Sequence, residues 1–271
     1  MVRMSCGDMM ASMKSFVCIC LFYMAATAQG SAAEGSVTFP DVVRKITPSV
    51  VAIATYSPLR SPRVVMRGTG FVVHDGLHVI TNAHVLPKDS ELTHNEKISV
   101  LIGRGRTPDR RVAEVVLIDR EHDLALLRID GNKVAKFTLG SGGMAPEGTD
   151  IAVTGFPIGA VLGLYPVTHR GIVAAITPIV IPQPSARYLD PKVVRQSRYD
   201  VYQLDLTAFP GNSGSPMYNA ETGRVEGILN SVTVKGTKEN ALTKPSGISF
   251  AIPVVYLHNL LRDAGLTTDK P

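Results

Sequence analysis

The feature that most constrains this chain is a succession of short β-branched segments, each closed by turn residues, with a single helical period at the very end. Runs rich in Val and Ile recur at 50–54, 68–73, 78–81, 98–102, 113–118, 124–129, 150–154, 167–177, 201–206, 225–233 and 248–252. Gly, Pro, Asn or Asp stands near the ends of most of them, and such short bounded runs predict strands. The stretch 253–264 differs. Val254, Leu257, Leu260 and Leu261 fall at helical spacing, Pro253 suits a helix start, and Gly265 suits its end. A short amphipathic stretch at 41–45 predicts one helical turn before Pro48. Many short strands with so little helix predict an all-β chain built from sandwiches or barrels. Residues 60–67 and 178–197, the latter with four prolines, read as loops. The glycine-rich stretch 140–148 divides 37–140 from 141–264, two halves that suit two small barrels packed together, and 265–271 reads as a tail. No clean internal repeat is visible.

A chain of 271 residues that is 45% hydrophobic can bury a real core. The net charge of +5, from 28 basic and 23 acidic residues, is mild and dispersed apart from a cluster at 104–111. That is no nucleic-acid footprint. Arg3 and Lys14 precede or open an apolar run at 16–28 that is too short to span a bilayer, and Ala26-Thr27-Ala28 has the form of a signal peptidase site. Residues 1–28 are therefore expected to be a signal peptide, cleaved after Ala28 or, as second choice, near Ala33; a retained anchor is the alternative. Val17 and Ile19 precede Cys18 and Cys20, which argues against lipidation. Cys6, Cys18 and Cys20 all lie in this segment, so the processed chain is expected to hold no disulfide. Export to the periplasm or outside the cell follows.

The chemistry centres on Phe209-Pro210-Gly211-Asn212-Ser213-Gly214-Ser215-Pro216, a serine between two glycines after a strand-like run. Glycine lets a backbone turn tightly and lets a ligand approach its amides, and amides aimed at one point can hold an oxyanion. By itself the motif is as consistent with a plain turn. A serine hydroxyl needs a base, usually histidine. Of seven histidines, His84 stands out in Thr81-Asn82-Ala83-His84-Val85, where a strand passes into a turn of small residues. The base in turn needs a carboxylate to hold its tautomer. Asp123 opens the apolar run Asp123-Leu124-Ala125-Leu126-Leu127, at the rim of a core, whereas Asp119 and Asp130 read as ordinary strand caps. No set of histidines and acids has metal-ligand spacing, so neither a metal nor another cofactor is expected.

With Gly68-Thr69-Gly70-Phe71 and Phe250-Ala251-Ile252-Pro253, these motifs resemble trypsin-like serine endopeptidases, in particular the HtrA (Deg) type, from about Phe39 to Leu261. The order His84, Asp123, Ser213 is that of chymotrypsin. The resemblance implies two six-stranded antiparallel β-barrels of chymotrypsin-like fold with a C-terminal helix and a cleft at their junction. It makes Ser213 the nucleophile, His84 the general base and then acid, and Asp123 its orienter. It places the Gly211 and Ser213 amides in the oxyanion hole, with Asn212 shaping the turn between them. It puts Thr207, Leu229, Val232 and Gly247 around an uncharged S1 pocket, which implies small or medium aliphatic P1 residues. Protein substrates are implied, with protein quality control as a role. HtrA proteins often carry PDZ domains, and none is expected within these residues. Ser215 stands where glycine is more frequent. A homotrimer joined through the amino-terminal segment, with Phe39 as a contact, is a further implication. The rival expectation is a polypeptide-binding or chaperone-like module with a dormant site, its oxyanion turn flipped.

Overall fold

In the computed structural model, residues 37–88, 95–157, 163–178, 199–230 and 247–266 are described. The expected signal peptide, its three cysteines, Val232 and most of the 178–197 loop lie outside them. Two closed six-stranded antiparallel barrels are built. The first contains β1 (Val50–Tyr56), β2 (Val64–Val73), β3 (His78–Asn82), β4 (Lys97–Ile102), β5 (Asp109–Asp119) and β6 (Leu124–Ile129). The second contains β7 (Asp150–Gly155), β8 (Val167–Pro178), β9 (Asp200–Asp205), β10 (Pro216–Asn219), β11 (Val225–Asn230) and β12 (Ile248–Pro253). Around the first barrel the order is β1-β2-β3-β6-β5-β4, and around the second β7-β8-β9-β12-β11-β10. The two barrels thus share one topology that the sequence alone does not reveal.

Several strands are apolar without alternation because both of their faces are covered. In β1, Val51 and Ile53 join Val79, Val100, Leu127 and Ile129 inside the first barrel. Their neighbours Val50, Ala52 and Ala54 instead belong to a cluster that also takes in Leu124, Leu126, Phe137, Tyr218 and Leu257, and so runs from barrel to barrel. Strand side chains alternate between faces, so a strand at this seam must be apolar on both. Phe71 and Phe137 meet edge to face at 5.6 Å, and Phe137 lies 6.0 Å from Tyr218. The second interior is formed by Ile151, Val153, Tyr202, Leu204, Met217 and Leu229.

Helix α1 (Phe39–Ile46) is longer than the single expected turn. Its start is fixed by Asp41, whose carboxylate accepts from the Thr38 hydroxyl at 2.6 Å and the Thr38 amide at 3.2 Å. Helix α2 (Val254–Asp263) buries Val254, Leu257, Leu260 and Leu261, the positions expected from their spacing. Gly265, at φ +74°, ends it, with Leu266 N donating to Leu261 O at 2.9 Å. Two strands begin four residues before the expected runs, and one strand is unexpected. β2 begins at Val64, inside the stretch read as loop, because Tyr56 pairs with Val64. β5 begins at Asp109, where Arg110 covers the Tyr56 ring at 3.9 Å and Arg111 reaches Asn132 O at 2.6 Å. β10 is a four-residue strand opening on a proline, too short to leave a period in the sequence.

Candidate active site

Residues 209–215 form two consecutive tight turns. Asn212 N donates to Phe209 O and Ser215 N to Asn212 O, each at 3.0 Å. Gly211 (φ +100°) and Gly214 (φ +84°) each stand third in their turn, and Pro210 stands second in the first. This is the type II pattern, which needs a positive φ at its third residue. Ser213 is the second residue of the second turn. The pair of turns is pinned from both barrels. Thr69 N of β2 donates to Ser213 O at 2.9 Å, and Thr69 Oγ1 donates to Gly211 O at 2.7 Å. From β11, Leu229 O accepts from Gly214 N at 3.0 Å, while Leu229 N donates to Ser215 O at 2.8 Å. Among the described residues, the Gly211 and Ser213 amides find no acceptor. Asn212 and Ser215 are wholly buried below the turn.

Gly214 has no room for a side chain. An added Cβ would sit 2.2 Å from Thr69 O and 2.5 Å from Thr81 Oγ1. Gly214→Ala is expected to cost at least about 1–3 kcal/mol from backbone strain alone, before the clash is counted. Thermal unfolding checks this; an unchanged midpoint would contradict the turn as described.

His84 lies in a short 3₁₀ turn (Ala83–Val85) that follows β3 directly. Asp123 immediately precedes β6 at φ +53°, a left-handed conformation that few residues other than Gly, Asn and Asp tolerate. The two meet because β3 and β6 are paired, with Asn82 opposite Leu124. The Asp123 carbonyl accepts from Ala83 N and Asn82 Nδ2, both at 3.0 Å. Its Oδ1 accepts from His84 N at 2.9 Å, and its Oδ2 lies 2.6 Å from His84 Nδ1. A carboxylate can only accept, so Nδ1 carries a proton, and in the neutral ring Nε2 is left with a lone pair. Asn230 Nδ2, at the end of β11, also donates to Oδ2 at 3.1 Å. The turn carrying Ser213 comes to the same seam. A Cβ placed on Gly68 would touch Val85, next to His84, at 2.8 Å and Ser213 O at 3.0 Å. Among the described residues, no group of three or more His, Cys, Asp and Glu side chains could hold a metal ion.

Sequence reasoning missed two members of this arrangement. Thr69 falls in the Gly68-Thr69-Gly70-Phe71 motif and Asn230 closes β11, but nothing local marks the part either plays here; only the pairing of distant strands does. Of the proposed pocket residues, Thr207 is half-buried just after β9 and Gly247 is exposed just before β12, whose Ile248 pairs with Asp205. The Leu229 side chain packs in the second barrel interior, and its main chain holds the nucleophile turn.

Below the turn, the His169 ring of β8 lies 6.0 Å from the Phe209 ring. Its Nε2 is buried and has no partner among the described residues, and burial lowers its pKa from the ordinary 6.5. The unfolded chain therefore takes up a proton near pH 6.5 that the folded chain refuses, so this site's contribution to stability is intact above that pH and declines below it. His169→Phe is expected to lose less stability than the parent between about pH 7.5 and pH 5, read by denaturant unfolding at each pH. Equal losses in the two proteins would contradict the burial described.

Residues 68–228 match the trypsin-like peptidase domain family. The chain is 31% identical to the serine protease HTRA1A of Danio rerio over 228 residues, which are 83% of this chain and 40% of that one. It is 31% identical to the human serine protease HTRA3 over 217 residues, 79% of this chain and 42% of the relative. The chain thus spans about two fifths of the length of these relatives. The fold is similar to that of the active form of the Rv3671c protease from M. tuberculosis, with a TM-score of 0.62, 24% identity, and coverage of 86% of this chain and 88% of the other. The HtrA-type protease AlgW, solved with a decapeptide, gives a TM-score of 0.61 at 24% identity over 84% of this chain and 67% of that one. The chain therefore belongs to the trypsin-like peptidase domain family and resembles its HtrA-type serine proteases.

Proposed function

We propose that this chain is an exported serine endopeptidase that cleaves protein substrates through an acyl-enzyme on Ser213. The observation that carries this reading is the Asp123–His84 hydrogen bond of 2.6 Å, at the seam where the turn of Ser213 is pinned by both barrels. With Nδ1–H committed to Asp123, His84 Nε2 accepts the Ser213 hydroxyl proton as Oγ attacks the scissile carbonyl. The negative oxygen of the tetrahedral intermediate is received by the Gly211 and Ser213 amides. The amine then departs with the proton from Nε2, leaving an ester on Ser213. Water attacks that ester with His84 again as base, and the acid product and free serine result. Asp123 holds the imidazole and stabilises its charged form throughout. Gly211 and Ser213 amides that find no acceptor among the described residues support a competent rather than a flipped, dormant oxyanion site.

The P1 preference rests on Thr207, Val232 and Gly247, none of which is charged, with Leu229, whose side chain is enclosed in the barrel, contributing its main chain. A basic or acidic P1 side chain entering such a pocket would lose hydration without a counter-ion. Small or medium aliphatic residues are therefore the proposed P1 class, with damaged exported proteins as the proposed substrates. Export rests on the signal-peptide character of residues 1–28, and a trimeric state on the HtrA resemblance alone. Digestion of β-casein with cleavage sites mapped by mass spectrometry tests the reading, with Ser213→Ala as the control. Cuts after Ala, Val, Ile or Leu that vanish in the control are expected. Equal digestion by both proteins would remove the enzyme reading; cuts mainly after Arg, Lys or Glu would remove only the pocket.

A further inference from the structure

Asp123 is an unusual position to hold. It sits in a left-handed conformation, and its carboxylate must stay on one nitrogen of a half-exposed imidazole. The turn leading into it, from Asp119 to His122, borders an open surface depression of about 580 Å³ lined by Leu117, Glu121, Asn259 and Arg262 among others. The turn is therefore open to solvent on that side and takes its contacts on the other. A second Asp–His couple stands there. Asp119 Oδ1 accepts from Glu121 N at 3.0 Å and His122 N at 3.1 Å, while Asp119 Oδ2 lies 2.6 Å from His122 Nδ1. The His122 ring stacks on Tyr256 of α2 at 4.0 Å and 18°, and meets Tyr199 edge-on at 4.7 Å. Tyr199 and Tyr256 are themselves 5.1 Å apart. The turn is thus held by ring contacts to Tyr256 of α2 and to Tyr199, just before β9.

We propose that His122 is a positioning residue for the reaction: locked to Asp119 and stacked on Tyr256, it holds the neighbouring Asp123 in its left-handed conformation with its carboxylate on His84. The charged and titratable groups around this clamp include Asp119, Glu121, Asp123, Asp200, Tyr199 and Tyr256, with Arg120, Arg262 and Asp263 on its open side. The Tyr199 phenol is pushed up to about 12 by its burial and then by the Asp123 carboxylate, so it stays neutral beside the clamp. The inference rests on Asp123 acting as the orienter of His84.

Three variants separate the roles. His122→Ala removes both ring and hydrogen bond, His122→Phe keeps the stack and loses the bond to Asp119, and Asp123→Asn tests the underlying assignment. Rates of casein hydrolysis are measured per site titrated with a fluorophosphonate, so that unfolded protein does not count. His122→Ala is expected to lower the rate per titrated site about 10- to 100-fold, as small misplacements of reacting groups do, and His122→Phe less. Proton NMR supplies a readout that a merely structural role would leave alone. The His84 Nδ1 proton, in a short bond to a carboxylate, is expected far downfield and is assigned by its loss in Asp123→Asn. In His122→Ala it is expected to broaden or move. An unchanged rate per site with an unchanged resonance, even beside a lowered melting temperature, would overturn the proposal. If Asp123→Asn also keeps the parent rate, the assignment of Asp123 itself has failed.

Discussion

Ser213→Ala is expected to leave no measurable turnover while the fold survives. The substitution removes one oxygen atom and nothing that shapes the turn. The two turns are defined by the positive φ of Gly211 and Gly214 and by main-chain bonds to Thr69 and Leu229, none of which involves the serine hydroxyl. Ser213 is 8% exposed, so alanine adds no contact that the site must accommodate. In subtilisin, an unrelated fold with the same chemistry, loss of the serine costs about 10⁶ in kcat, and a loss of that order is expected here. What remains is the catalysis that the amides and substrate binding supply, about 10³–10⁴ over water. Peptide hydrolysis followed beside thermal unfolding checks both halves; turnover within tenfold of the parent would contradict the assignment.

Asp123→Asn is also expected to be strongly damaging, though less than loss of the serine or of the base, and for a different reason. The amide is the same size, and the bonds from Ala83 N and Asn82 Nδ2 to the Asp123 carbonyl are untouched. The carbonyl oxygen of the new side chain can still accept from His84 N. Its NH₂, however, would face two donors, His84 Nδ1–H and Asn230 Nδ2–H, where the carboxylate accepted from both. The imidazole escapes by moving its proton to Nε2, the nitrogen that must be bare to receive the serine proton. In the chymotrypsin template the equivalent change costs about 10⁴ in kcat, and a loss of this order is expected. The rate per titrated site checks it; a loss below tenfold would mean that Asp123 does not set the tautomer.

The parts legible in the sequence were those written in local chemistry. The apolar runs from Val50 and from Leu124 declared themselves, as did Val254, Leu257, Leu260 and Leu261 on the last helix. The turn motif around Ser213 was equally clear, since two glycines and a proline leave few backbone options. The rest depended on partners far away in the chain. β5 extends to Asp109 because Arg110 and Arg111 find an aromatic face and carbonyl groups, so charged residues there hid a strand. β10 has four residues and no period to read. Asn230 meets Asp123 only because the end of β11 and the start of β6 come to one seam. His122 was one histidine of seven until the Tyr199 and Tyr256 rings and Asp119 gave it a place.

A fluorophosphonate reacts far faster with a serine whose proton is being withdrawn than with an ordinary hydroxyl, so its rate at Ser213 reads the joint action of His84 and Ser213 without any assumption about the substrate. The account predicts one adduct, located on Ser213 by peptide mass spectrometry in the folded parent protein and absent or strongly slowed in His84→Ala. No adduct on Ser213 in the folded parent, or equal labelling in both proteins, would contradict it.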